Sequence, residues 1–160
     1  MAARLEYWKL AAEGIEKLRE VGHAVATGSS LEPALLELVR VLASRRNGCV
    51  KCTRVHEAEL RKLHEPAERI AGVVEWRTAG SGVGSGQGGL YTQRERAALG
   101  WAEAVTDIQD AELREAAKAA VREHFSDAEI ANLTLAIATI NVWNRMEIGT
   151  GAFGEREGAR

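Results

Sequence analysis

Cysteine is scarce in this 160-residue sequence, and the scarcity limits how the fold is stabilised. The only two cysteines are Cys49 and Cys52, a C-x-x-C pair, so a disulfide between them closes a very small loop. Such a loop is too short to stabilise a fold through the entropy of the unfolded chain. One compact domain over residues 1–160 is long enough to bury a core without metals or structural disulfides. We therefore interpret the pair as a reactive dithiol.

An excess of charge of either sign is also lacking. The 21 Lys and Arg residues nearly balance the 23 Asp and Glu residues, which gives a net charge of −2. Proteins that bind nucleic acids or anionic membranes present basic surfaces, so we expect neither partner. The hydrophobic content of 46% and the charged content of 28% are typical of an ordinary globular protein.

No apolar run is uniform enough to cross a bilayer. The longest, residues 130–148, is interrupted by Arg145, Glu147 and three asparagines. The first thirty residues carry four glutamates among their apolar positions and lack the uninterrupted apolar core of a secretory signal. We therefore expect a cytoplasmic protein, in which a C-x-x-C pair is kept reduced unless it turns over.

Strand-type alternation is absent from the sequence pattern, whereas apolar residues recur at helical spacing, which predicts an all-α fold of about seven helices. The first predicted helix ends near Thr27–Gly28, and the second runs from Pro33 to Asn47 after a capping box formed by Ser29 and Glu32. The cysteine helix follows Gly48, and a fourth helix starts at Pro66. Three more are predicted over residues 92–105, 110–124 and 126–148. The last is apolar on most of its circumference, which is typical of a central helix or of one buried against another subunit.

A glycine- and serine-rich run over residues 79–90 interrupts the helical pattern. This composition predicts a flexible loop. Residues 84–89 formally match G-x-G-x-x-G, but no strand precedes them and the run is simple repetition, so we do not expect dinucleotide binding.

A glutamate, two cysteines and a histidine form the candidate site: Glu37, Cys49, Cys52 and His56. The cysteines are three residues apart and His56 follows Cys52 by four, so a helix places these three side chains on one face. A helix N-terminus and a neighbouring histidine both favour the thiolate. If the preceding helix packs antiparallel across the turn, Glu37 comes within reach of His56. We expect partial burial to raise the pKa of Glu37 and suit it to proton transfer.

Other interpretations of these residues stay open. Glu37 alone is equally consistent with a solvated helix glutamate, and the cysteines alone with two inert buried thiols. Neither interpretation explains the combined spacing. A structural zinc site on Cys49, Cys52 and His56 needs a fourth ligand, for which only His64 or Glu37 is within reach, so we rank zinc below redox chemistry.

The spacing E-x11-C-x-x-C-x3-H resembles the signature of the AhpD-like alkylhydroperoxidases in the carboxymuconolactone decarboxylase superfamily. It is satisfied by Glu37, Cys49, Cys52 and His56 within the segment ELVRVLASRRNGCVKCTRVH. The resemblance extends to TQRERAALGWAEAVT, residues 92–106, and to HFSDAEIANLTLAIATINVWNR, residues 124–145. It therefore covers most of the chain.

The resemblance implies a helical homo-oligomer, a trimer or a hexamer, that reduces hydroperoxides through a disulfide intermediate. Cys52 would attack the peroxide as thiolate, Cys49 would resolve the sulfenic acid, and His56 and Glu37 would transfer protons. No tightly bound cofactor is expected. The electron donor would be an external dithiol protein, with a lipoyl dithiol as the candidate. The antioxidant member that names the family has an extra histidine between its cysteines, where this chain has Lys51.

Two alternative functions come from other classes. A lactone decarboxylase, the activity behind the other name of the superfamily, does not call for a C-x-x-C pair. A non-enzymatic helical oligomer would sense oxidants or hold zinc with the same residues. For Trp143 we expect a place in the core, while Trp143 or Trp101 as the apolar wall of a substrate pocket stays open.

Overall fold

The computed structural model describes residues 5–79 and 89–151, and every regular element within them is helical, as predicted. The elements are α1 (Tyr7–Leu10), α2 (Ala12–Gly28), α3 (Pro33–Asn47), α4 (Val50–Lys62), α5 (Ala67–Ala71), a 3-10 helix (Gly72–Glu75), α6 (Gln93–Thr106), α7 (Ala111–His124) and α8 (Asp127–Thr150). Most of the predicted 79–90 loop, residues 80–88, lies outside the described residues.

The number of α-helices in the described residues is eight rather than about seven, because the first predicted helix is divided. Ala11 leaves the helical conformation, with φ −117° and ψ 37°, and separates α1 from α2.

The capping box predicted at Ser29 and Glu32 is wrong. The Ser29 hydroxyl instead donates to the carbonyl of Val25, and Glu32 precedes α3 without a side-chain cap.

Helix α3 lies at the centre of the fold and packs against α4, α6 and α8. Its apolar side chains are almost entirely buried: Leu35, Leu36, Leu38, Val39, Val41 and Leu42. Buried positions occur around most of its circumference, as expected for a helix enclosed by others. Glu37 and Ser44 on the same helix are therefore also withdrawn from water.

Gly48 ends α3 and determines where the cysteines begin, in agreement with the predicted stop. Its φ of 74° lies in the left-handed region, which glycine adopts without steric cost. The backbone N–H of Cys49 then donates to the carbonyl of Ser44 at 2.9 Å, which turns the chain back along α3. As a result α4 runs beside α3, and residues on it approach Glu37.

Helix α8 joins the core to the cysteine turn. It packs against α2, α3 and α6. Near the end of α3, the Asn47 amide donates to Asn141 at 2.8 Å and the Ser44 hydroxyl donates to Asn144 at 3.1 Å. The sequence predicted either a central helix or one buried against another subunit, and the structure buries one side of α8 while Leu135, Val142 and Ile148 stay exposed. Within the two described segments, no helix combines the length and the apolarity that a bilayer span requires.

Candidate redox site

Cys49 and Cys52 lie at the N-terminus of α4 and are joined by a disulfide. Cys49 is the N-cap residue of the helix, and its Sγ accepts the backbone N–H of Cys52 at 3.4 Å. Cys49 therefore directly precedes the helix and does not lie within it, while the predicted closeness of the two cysteine side chains is confirmed. The cap position nevertheless brings the Cα atoms to 5.4 Å, close enough for the disulfide.

The two cysteines differ in their access to solvent. Cys49 is 2% exposed and Cys52 is 7% exposed, and both belong to one buried cluster with Ala43 and Ile140. Of the two, Cys52 lines a cavity of about 350 Å³. A molecule that enters this cavity therefore meets Cys52 first.

His56 lies one turn after Cys52 and lines the same cavity. Its Nδ1 is 2.7 Å from Oε2 of Glu37 on α3. The other oxygen of Glu37 accepts a hydrogen bond from Arg40, and the carboxylate is only 8% exposed. The structure thus brings together all four residues that the sequence marks, and adds Arg40 to them.

Burial and its partners act on Glu37 in opposite directions. Removal from water raises the pKa of the carboxyl group, but the hydrogen bond from His56 and the charge of Arg40 outweigh it, so the pKa of Glu37 lies below its usual 4.5. The expectation of a raised pKa for Glu37 is wrong, because it considered burial without the hydrogen bond from His56 and the charge of Arg40 one turn along α3. An ionised Glu37 fits the His56 tautomer with its proton on Nδ1, in which Nε2 is a proton acceptor.

One wall of the cavity is apolar. It is formed by Trp8, Val55, Ile140 and Trp143. Trp143 therefore lies at the cavity and is only partly buried there, whereas Trp101 is no part of this wall and donates its indole N–H to Thr134. Of the two tryptophans considered for a pocket, the structure places Trp143 beside Cys52.

Three polar side chains, those of Tyr7, Lys51 and Glu147, also line the cavity. Lys51 Nζ and the Tyr7 hydroxyl both donate to Oε1 of Glu147, each at 2.5 Å. Glu147 is only 6% exposed, so its charge depends on Lys51 for compensation. The sequence pattern missed Tyr7 and Glu147, because a contact between residues 140 positions apart leaves no spacing signal. The only local signal was a lysine between the cysteines.

No group of three or more His, Cys, Asp or Glu side chains is arranged to hold a metal ion within residues 5–79 and 89–151. In this oxidised state the two sulfurs are bonded to each other, and a zinc site of the predicted type requires them as thiolates. The zinc alternative therefore concerns the reduced protein alone.

Solved structures resemble this chain over most of its length. A protein of unknown function from Agrobacterium tumefaciens, described as a candidate AhpD antioxidant defence protein, is 33% identical with a TM-score of 0.81, and the match covers 96% of this chain and 99% of that one. An uncharacterized peroxidase-related protein from Silicibacter sp. TM1040 is 24% identical with a TM-score of 0.70, over 88% of this chain and 69% of that one. The second likeness concerns the fold alone.

Sequence comparison connects the chain to a family. The uncharacterized protein YdfG of Bacillus subtilis (strain 168) is 29% identical over 151 residues, which are 94% of this chain and 96% of that protein. Residues 12–104 match the carboxymuconolactone decarboxylase family, and this stretch includes Glu37, Cys49, Cys52 and His56. With more than half of its length matched and an AhpD-like helical fold, this chain belongs to the carboxymuconolactone decarboxylase family.

Proposed function

We propose that the protein is a thiol-dependent peroxidase of the AhpD-like type, which reduces organic hydroperoxides with Cys49 and Cys52. The observation that carries this proposal is a disulfide whose more exposed member, Cys52, opens to a cavity that His56 also lines. Membership of the family and the likeness to the Agrobacterium tumefaciens protein support the redox class.

The oxidative half-reaction begins with the reduced pair. His56 Nε2 takes the proton of the Cys52 thiol, while Glu37 holds Nδ1 and stabilises the imidazolium. The thiolate attacks the outer peroxide oxygen, so that an S–O bond forms, the O–O bond breaks, and a sulfenic acid and an alkoxide result. Cys49 then attacks the sulfenic sulfur, the disulfide forms, and hydroxide leaves as water after protonation. The two sulfurs have lost two electrons, and the O–O bond has gained them.

An external dithiol, with a lipoyl group as the proposed donor, completes the cycle without a tightly bound cofactor. Its first thiolate attacks Cys52, the sulfur that faces the cavity, and Cys49 leaves. The helix N-terminus and the Cys52 amide stabilise Cys49 as a thiolate, and a better leaving thiolate speeds the exchange. The second thiol of the donor then attacks the mixed disulfide, so Cys52 is released and the donor becomes a disulfide.

Peroxide consumption with dihydrolipoamide as donor tests the proposal. We expect turnover by the wild-type protein, loss of the peroxide reaction in Cys52→Ser, and a single oxidation in Cys49→Ser that stops at a sulfenic acid on Cys52, trapped with dimedone. Equal rates in all three proteins would contradict the proposal. A sulfenic acid trapped on Cys49 in a Cys52→Ser protein that keeps its rate would reverse the roles of the two residues.

The alternative functions predict other outcomes for the same proteins. An oxidant sensor forms the disulfide once and does not turn over with the donor. A zinc-holding protein purified without chelator carries near-stoichiometric metal. A lactone decarboxylase releases carbon dioxide at a rate that does not depend on either cysteine.

The proposed working form is a cytoplasmic homo-oligomer, a trimer or a hexamer. Leu135 and Val142, seven residues apart on α8, are exposed, as are Val50 and Val55 on α4. Apolar surfaces of this kind are commonly covered when subunits associate. Mass measurement in solution checks the oligomeric order, and a monomer at micromolar concentration would contradict it.

A further inference from the structure

The cavity beside Cys52 holds a second proton donor besides His56. Lys51 directly precedes Cys52 in the chain and lines the same cavity, and its side chain is partly exposed there. Lys51 and Cys52 therefore share the space that a peroxide would occupy. The oxidative half-reaction requires a proton at the leaving oxygen.

Residues of two other helices, α8 and α1, hold Lys51 in position. Its Nζ donates to Oε1 of Glu147 on α8, and the same oxygen accepts the hydroxyl of Tyr7 on α1. The ammonium also lies 5.9 Å from the centroid of the Trp8 ring. A free lysine side chain is costly to order, so a lysine that the fold already holds loses little entropy when it acts.

The environment of Glu147 favours this fixed arrangement. Both donors converge on Oε1, while Oε2 has no hydrogen-bond partner among the described residues. Burial and the hydrogen bond to Glu147 raise the pKa of Tyr7, so its hydroxyl stays protonated and remains a donor. Tyr7 therefore ties Glu147, and through it Lys51, to one side of the cavity.

His56 already has a role at the thiol in the proposed reaction. Its Nδ1 is bonded to Glu37, so a single ring nitrogen, Nε2, is left to exchange a proton with Cys52. Lys51 as an ammonium has no lone pair with which to take the thiol proton, so the role open to it is donation.

We infer that Lys51 donates a proton to the alkoxide released when the O–O bond breaks, and that Glu147 and Tyr7 are its positioning residues. This inference rests on the proposed peroxidase function. The alkoxide becomes an alcohol and Lys51 becomes a neutral amine, which regains a proton from water. An alkoxide is a much stronger base than a lysine amine, so this transfer is downhill. During this step the organic group of the hydroperoxide packs against the apolar wall of the cavity.

The experiment compares two oxidants that differ in their leaving groups. Cumene hydroperoxide releases an alkoxide, which needs an acid, whereas perbenzoic acid releases a carboxylate, which does not. In single-turnover oxidation of the reduced protein, we expect Lys51→Met to slow the reaction with cumene hydroperoxide by about 100-fold, as for loss of a positioned general acid. The rate constant for perbenzoic acid should change little.

Three further variants control this measurement. Lys62→Met removes an exposed lysine of the same helix, paired with Glu59 and outside the cavity, and should change neither rate constant. The double variant Lys51→Met/Glu147→Gln leaves no unpaired buried carboxylate, so it keeps the test valid if the single variant unfolds, and it should show the same selective loss. Glu147→Gln alone should lower the rate constant for oxidation by cumene hydroperoxide less than Lys51→Met does.

Two outcomes would overturn the inference alone. In the first, the ratio of the two rate constants is unchanged in the Lys51 variants. In the second, both rate constants fall together and the pH profile of alkylation by iodoacetamide shows a raised thiol pKa, because Lys51 would then act on the thiolate. A wild-type protein that reacts with neither oxidant would instead refute the proposed function, before any variant is compared.

Discussion

Glu37 is buried, yet its pKa lies below 4.5, so folding stabilises its ionised form. Its contribution to stability is therefore complete above pH 4.5 and is lost as the pH falls through the lower pKa of the folded protein. We expect Glu37→Gln to lower the free energy of unfolding at neutral pH by about 2 kcal/mol, because it breaks hydrogen bonds to a charged group. The difference from wild type should shrink in acid.

Denaturant unfolding of both proteins at a series of pH values measures this difference. Glu59→Gln is the matched control, since Glu59 forms an exposed ion pair with Lys62 on α4 and should contribute less than about 1 kcal/mol at any pH. A difference for Glu37→Gln that grew as the pH fell would contradict the depressed pKa.

At the scale of residues, the sequence predicted those parts of the site that are close together in the chain. Cys52 and His56 are one helical turn apart, and the turn at Gly48 brings Glu37 beside them. Arg40 is also local, one turn after Glu37, so its effect on the pKa was accessible to the same reasoning. Tyr7 and Glu147 were not, because their contact depends on how α1 and α8 pack.

The junction between α3 and α4 depends on the left-handed backbone of Gly48. A Cβ at this position would meet no atom within 4 Å, so Gly48→Ala tests backbone strain alone. We expect a loss of about 1 to 2 kcal/mol in the free energy of unfolding, the cost of the left-handed conformation for alanine. The oxidation rate of the dithiol should also fall, because this turn places Cys49.

Gly22→Ala is the control for this variant in thermal and denaturant unfolding. Gly22 lies within α2, and a Cβ there also meets no atom within 4 Å. In an ordinary helical conformation alanine should stabilise the protein by roughly 0.5 to 1 kcal/mol. Two variants that shift stability in the same direction would contradict the role assigned to Gly48.

The start of α8 is held by a capping box between Ser126 and Glu129. The Ser126 hydroxyl accepts the backbone N–H of Glu129, and the Glu129 carboxylate accepts the N–H of Ser126. We expect Ser126→Ala to lower the free energy of unfolding by about 1 kcal/mol. Thr27→Ala, which removes only a bond from an exposed hydroxyl to the carbonyl of His23, should be close to neutral in the same measurement.

At the scale of elements, prediction was best where apolar spacing and terminal signals agree. Helix α3 begins at Pro33 and ends before Gly48, and α8 begins directly after its N-cap Ser126, as these residue types indicate. The break at Ala11 was missed because alanine is a strong helix former and no local residue marks an end. That break accompanies the attachment of Tyr7 to Glu147, which is a tertiary contact.

For the whole molecule, the disulfide should be nearly dispensable for the fold. It spans a sequence separation of 3, and in the loop-entropy account so short a loop contributes only about 2 kcal/mol. The core around α3 does not depend on it. We expect reduction to leave the helical circular dichroism unchanged and to lower Tm by roughly 4 to 8 °C. The Cys49→Ser/Cys52→Ser protein should not respond to reductant, and a reduced wild-type protein that unfolds would contradict this view.

About half of the residues that line the cavity come from outside the stretch that matches the family. Residues 12–104 contain the dithiol, the His56–Glu37 pair and Lys51, whereas Tyr7, Trp8, Trp143 and Glu147 lie before or after them. Under the proposed function, the redox chemistry is thus encoded within the matched stretch, whereas much of the surface that would contact the hydroperoxide is encoded outside it. Under that function we expect relatives that share the motif but differ at Tyr7, Trp8, Trp143 and Glu147 to accept different hydroperoxides. A screen for substrates across such relatives is therefore better grouped by their terminal segments than by the motif they share.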